Sequence, residues 1–212
     1  MDFITAGFSY FQKGGMVMYF LLLCSLFAVA IGVERYNCLK KMDAGRQFGR
    51  KFYDAMTKSD IKQAWEMSDK LSEAILPRLI YGGLNLIATN DPHYQSYIEV
   101  HSTIAISQMR KRLYFLNVIV TMAPLLGLLG TIVGMIGAFN VFDIANGQAM
   151  AITGGVGEAL IATAFGLCVA IIALVIHSYY TQWIDNIIND MELCFALLDE
   201  QKKLIVEAGV QK

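Results

Sequence analysis

Three stretches of the chain carry no Asp, Glu, Lys or Arg and are dominated by apolar side chains: residues 14–33, 113–142 and 159–184, of 20, 30 and 26 residues. A helix rises about 1.5 Å per residue, so each stretch is long enough to cross about 30 Å of hydrocarbon. The pattern predicts three transmembrane helices. Between the first two the periodicity changes. Over residues 59–76, Ile61, Ala64 with Trp65, Met67 with Ser68, Leu71 and Ile75 recur at helical spacing, which predicts an amphipathic helix interrupted at its end by Pro77. Asn90-Asp91-Pro92 reads as a new start, with Asp91 capping and Pro92 at the first helical position. No breaker follows before Pro124, so a single helix of about 50 residues, about 75 Å long, is expected over residues 92–142. Past the third stretch, Ile184, Ile187 with Ile188, Met191, Cys194 with Phe195 and Leu198 continue an apolar stripe towards a stop near Gly209.

The expected organisation is an amino-terminal segment (1–13), a first span (14–33), a helical domain (34–112), a second span (113–142), a connection (143–158), a third span (159–184) and a carboxy-terminal helix (185–212). The fold class is therefore an all-α membrane protein with three transmembrane helices and two long helices extending into the cytoplasm. Long projecting helices need neighbours to cover their apolar stripes, and this chain has few to offer. A homo-oligomer is expected.

Composition sharpens this picture. The chain is 56% hydrophobic and 17% charged, with a net charge of −1, against about 25% charged in an average soluble domain. That excludes a disordered chain and a basic nucleic-acid-binding one. Thirteen of the 17 Lys and Arg residues lie between Arg35 and Arg112. They crowd the expected membrane edges, as at Arg35, Lys40 and Lys41 and again at Arg110, Lys111 and Arg112. By the positive-inside rule, the domain 34–112 and the carboxy terminus are cytoplasmic, and the amino terminus and residues 143–158 are periplasmic. Val33-Glu34-Arg35 ends the first stretch as a stop-transfer boundary would, so it reads as an uncleaved span. Cys24, Cys38, Cys168 and Cys194 show no metal-ligand or redox spacing and read as small buried hydrophobes.

The candidate chemistry lies in the second and third spans. Ala123, Gly127, Gly130, Gly134, Gly137 and Ala138 put small residues on one face of the second span, with Thr131 among them. Ala159, Thr163, Gly166, Ala170, Ala173 and His177 form a matching stripe on the third. Such faces let two helix backbones approach closely, with or without a pathway between them. The other side of the third span carries Leu160, Ile161, Leu167, Ile171, Leu174 and Val175, which suit lipid or the first span. Glu158 opens the third span about 140° round the helix from Thr163. It either lies solvated beside a helix amino terminus or faces a neighbour or vestibule. His177, near the cytoplasmic surface, reads as an interfacial or packing residue. No Asp, Glu, Lys or Arg stands in the central part of any span. If the protein moves protons, a partner must bring the titrating carboxylate.

The run Ala123-Pro124-Leu125-Leu126-Gly127-Leu128-Leu129-Gly130-Thr131-Ile132-Val133-Gly134-Met135-Ile136, followed by Gly155-Val156-Gly157-Glu158-Ala159-Leu160-Ile161-Ala162-Thr163-Ala164-Phe165-Gly166-Leu167, strongly resembles the core signature of the MotA/TolQ/ExbB proton-channel family. Three spans and an outer amino terminus resemble its ExbB/TolQ branch more than the four-span MotA stators. The resemblance implies a bacterial inner-membrane protein forming a homo-oligomeric ring, a pentamer, around single-span ExbD- or TolR-type subunits that each carry a membrane Asp. It implies that Thr131, Thr163 and Glu158 line the proton pathway, the two threonines opposite that Asp and Glu158 preceding the second of them, while Gly127, Gly130, Gly134, Ala159, Gly166 and Ala170 serve helix packing. No cofactor beyond the coupling proton is implied, and the protein is not an enzyme. In ExbB-like members the motion energises TonB and outer-membrane transport, and in TolQ-like members the Tol-Pal envelope system through TolA. Two other readings remain: a non-conducting scaffold for a TonB-type partner, and a secondary transporter. The lack of internal repeats and of any central charge disfavours the transporter.

Overall fold

A computed structural model of the chain describes residues 15–144 and 149–210; the side chains of residues 46, 141–144, 149–153, 158 and 210 fall outside that description. Among the described residues every regular element is a helix. In chain order these are α1 Val17–Met42, α2 Arg46–Thr57, α3 Ile61–Lys70, α4 Ile75–Ala88, α5 Tyr94–Arg110, α6 Leu113–Ile144, α7 Ala149–Glu200 and α8 Lys202–Val210. Three helical stretches, in α1, α6 and α7, are long and apolar enough to cross a membrane. The chain divides into two compact units, one formed by residues 1–33 and 112–179, the other by 34–111 and 180–212.

In the first unit α1, α6 and α7 pack through narrow faces. Leu21, Ala28 and Ile31 of α1, Leu116 and Ala123 of α6, and Ala162 and Ala173 of α7 are buried, whereas Leu23, Leu125, Leu160 and Val175 are exposed. Large apolar side chains turned outward are what a helix bundle solvated by lipid requires. Phe27 and Phe115 meet edge to face, with ring centroids 6.3 Å apart, and fix α1 against α6.

The second unit is built from short helices ended by identifiable caps. Ser59 and Asn90 have φ of 57° and 52°, the left-handed geometry of a residue just beyond a helix carboxy terminus. Around them the amides of Asp60 and Asp91 reach back to the carbonyls of Ala55 and Leu86. Asp60 then starts α3 by accepting a hydrogen bond from the Gln63 amide at 3.0 Å. Phe48, Phe52, Met56, Ile80, Leu84, Ile87, Met109 and Leu198 are fully buried and form the core of this unit.

Two expectations need correction. The amphipathic helix expected over 59–76 ends at Lys70, and Pro77 sits instead in the first turn of α4, where its missing N–H has no intrahelical partner to lose. The single helix expected over 92–142 starts two residues later, at Tyr94, and is divided at Lys111 and Arg112, the latter with φ of 69°. Within the expected connection 143–158, α7 already begins at Ala149.

The end of α5 at Arg110 has a tertiary partner. Ending α5 at Arg110 leaves the Gln108 carbonyl without an intrahelical amide. Arg35, only 3% exposed, donates from Nη1 to that oxygen at 3.4 Å and from Nη2 to Glu34 at 2.8 Å. A cation at a helix carboxy terminus also complements the helix dipole.

In the same unit Cys194 is fully buried, and burial, reinforced by the Asp190 carboxylate, pushes its thiol up to about 12. The folded chain therefore holds the neutral thiol. This stabilises the fold at pH values below the ordinary thiol value of 9.0, and the contribution is lost as pH rises towards 12. In a variant retaining only Cys194, alkylation by iodoacetamide at pH 8.5 is expected to proceed only after unfolding. Equal labelling of folded and unfolded protein would contradict the assignment.

Candidate functional site

The small-residue stripes meet within the first unit. A methyl group placed at Gly166 would stand 2.6 Å from the Ala123 carbonyl oxygen and 3.0 Å from Gly127 Cα, so α6 and α7 touch backbone to backbone there. One turn along, Gly127 lies against Ala162 and Thr163, Gly130 against the Ala162 methyl, and Gly134 against Ala159. The seam continues to Ala138, which packs on Gly155. Ala170 and Ala173 are buried as well. Gly137, counted on this face from spacing, has open space around it.

Both threonines are half-buried, and their hydroxyls are committed to neighbouring carbonyls of α6. Thr163 Oγ1 donates across the seam to the Gly127 carbonyl at 3.0 Å. Thr131 Oγ1 donates within α6 to the Leu128 carbonyl at 2.6 Å. Each carbonyl oxygen has two lone pairs and accepts such a bond beside its backbone one. Among these contacts Ala162 escaped the sequence reading. It stands three residues after Ala159, and that spacing was the signal for it. Glu158 lies in α7, but its side chain is outside the described residues, and His177 is half-buried.

Arg35 is a second residue whose importance the sequence concealed. In sequence it is one of a row of cations at a membrane edge, yet it is buried, and its Nε has no hydrogen-bond partner among the described residues. Nearby in sequence, Asp43 Oδ2 accepts from the Trp183 indole at 2.7 Å and Asp43 Oδ1 from the Gly45 amide at 2.7 Å.

Comparison with known proteins places this seam in a family. The description of the MotA/TolQ/ExbB proton channel family matches residues 71–193, which include α6 and most of α7. A putative biopolymer transport protein, ExbB-like 1 of Synechocystis sp., is 34% identical over 78% of this chain and 67% of its own length. A putative ExbB homolog of Methanothermobacter thermautotrophicus is 27% identical over 91% of this chain and 69% of its own. Biopolymer transport protein exbB1 of Vibrio cholerae is 26% identical over 85% of this chain and 82% of its own. With the matched region extending over more than half the sequence and including the seam between α6 and α7, the chain belongs to the MotA/TolQ/ExbB proton channel family.

Proposed function

We propose that the chain is an ExbB-like inner-membrane subunit of a proton-driven motor that works with an ExbD-type partner to energise TonB-dependent outer-membrane transport. In this reading five copies form a ring around the partner's single spans, with amino termini periplasmic and carboxy termini cytoplasmic. The observation that carries it is a seam of small residues bearing two hydroxyls, with no Asp, Glu, Lys or Arg in the central part of any span. A charge at mid-membrane costs about 3 kcal/mol on insertion scales. A wall without one leaves the partner's Asp as the group that titrates. Protonation removes the cost of turning that Asp towards an apolar wall, which couples proton passage to movement of the inner helices. The relatives' names favour the ExbB branch over the TolQ branch.

The scaffold reading draws on one observation of its own: Thr163 is engaged in holding α6 to α7, a packing role that needs no proton. Thr131 separates the two. Thr131→Val keeps the shape and removes no bond between helices, so assembly should be retained. For a motor, energised uptake in cells is expected to fall at least tenfold with Thr131→Val and to vanish with Thr131→Val and Thr163→Val together. Unchanged uptake with intact assembly would favour the scaffold.

A further inference from the structure

Both threonine hydroxyls lie against backbone carbonyls, of Gly127 and Leu128, which are consecutive in α6. A carbonyl oxygen only accepts, so each short contact fixes the hydroxyl proton on the α6 side. What each hydroxyl retains is its lone pairs. We propose that Thr131 and Thr163 meet an inserted helix as hydrogen-bond acceptors, so that this wall selects a neutral carboxylic acid and disfavours a carboxylate. The inference rests on the reading above that a partner helix carrying an acid occupies the ring.

The chemistry runs as follows. A carboxylic acid has one O–H to donate, whereas a carboxylate offers lone pairs alone. Opposite a hydroxyl whose proton is engaged, the acid completes a hydrogen bond, and the carboxylate sets oxygen lone pairs against oxygen lone pairs. To donate to a carboxylate, either threonine must first break its bond to α6, a seam contact in the case of Thr163. Thr131, at 2.6 Å from its acceptor, holds the shorter bond. No other group in these spans offsets the preference. Residues 15–33, 113–142 and 159–184 contain no Asp, Glu, Lys or Arg. The titratable side chains within these stretches are Tyr19 and Cys24 of α1, Tyr114 of α6, and Cys168, His177, Tyr179 and Tyr180 of α7. Glu158 and Asp143, at the other end of the spans, have side chains outside the described residues. The partner acid is thus held protonated while opposite the threonines and releases its proton only after moving off them.

The test uses the purified full-length protein in nanodiscs and two synthetic single-span Leu/Ala helices, one with a central Asp and one with a central Asn. Asn is neutral at every pH and donates through its amide, as a protonated acid does through its hydroxyl. Binding is read by energy transfer at pH 5 and pH 9. Thr131→Val with Thr163→Val is expected to weaken the Asn helix about tenfold at both pH values and the Asp helix about tenfold at pH 5. The Asp helix at pH 9 should bind both proteins equally. Thr131→Val alone, which removes no interhelical bond, should give about a threefold loss in the same pattern and covers the case in which the double variant misassembles. A greater loss for the ionised Asp helix would overturn the proposal, because the hydroxyls would then be donors. Equal binding of the Asn helix to all proteins would overturn it too. Failure of both helices to bind the unsubstituted protein would instead strike at the reading that the ring admits an inserted helix.

Discussion

Gly166→Leu is expected to prevent α6 and α7 from closing and to leave no assembled protein in the membrane. The reason is geometric. The position where a Cβ would go lies 2.6 Å from the Ala123 carbonyl oxygen and 3.0 Å from Gly127 Cα. Those atoms are backbone, so they cannot rotate aside as a flexible side chain would. Even Gly166→Ala should cost about 2–3 kcal/mol, at the upper end of what inserting a methylene into a packed core costs. It should also stretch the neighbouring bond from Thr163 to Gly127, because parting the helices at one point of the seam separates them at the next. Gly137→Ala is the matched control. Nothing lies within 4 Å of its would-be Cβ, so this variant should be neutral or gain about 0.5–1 kcal/mol from the better helix former. Thermal unfolding and size-exclusion chromatography of the detergent-solubilised proteins measure both. A fully assembled Gly166→Leu protein of unchanged stability would mean that α6 and α7 do not approach in this way.

Arg35→Ala should be the most damaging single change at a charged position. Arg35 places a guanidinium at the end of α5, in contact with an orphan carbonyl and with Glu34, from a site that is 97% removed from solvent, its exposure being 3%. Truncation removes a charged hydrogen bond, worth about 1.5–3 kcal/mol, and the packing of the side-chain stem. A total loss of about 3 kcal/mol is expected, read from denaturant unfolding of the purified protein. Amide hydrogen exchange should rise in the last turn of α5. Arg35→Lys should lie between, because a single ammonium cannot reproduce the two-pronged contact of a guanidinium. An effect of Arg35→Ala below about 0.5 kcal/mol, the range of ordinary surface changes, would show that the helix division does not depend on this cap.

These two residues mark how far the chain could be read by eye. Gly166 stood in a stripe of small residues, and its role in close packing followed from spacing. The same spacing admitted Gly137, which has open space around it, and passed over Ala162, which the Gly130 contact requires. A periodic stripe gives the face of a helix but not the stretch of that face where two axes come nearest. Arg35 was legible only as a cation at a membrane edge. Its burial depends on a carbonyl 73 residues away. Pro77 misled for a related reason, since a proline terminates one helix or begins the next according to which caps are available.

Hydropathy and charge are sums over neighbouring residues, so the order of the chain alone determined three spans, their chargeless interiors and the small faces of α6 and α7. Tertiary structure decided what depends on distant partners: the division between α5 and α6, and the direction in which Thr163 spends its proton, towards a carbonyl 36 residues earlier. Hydrogen-bond direction is set by which acceptor the fold brings within reach, and no local pattern records that.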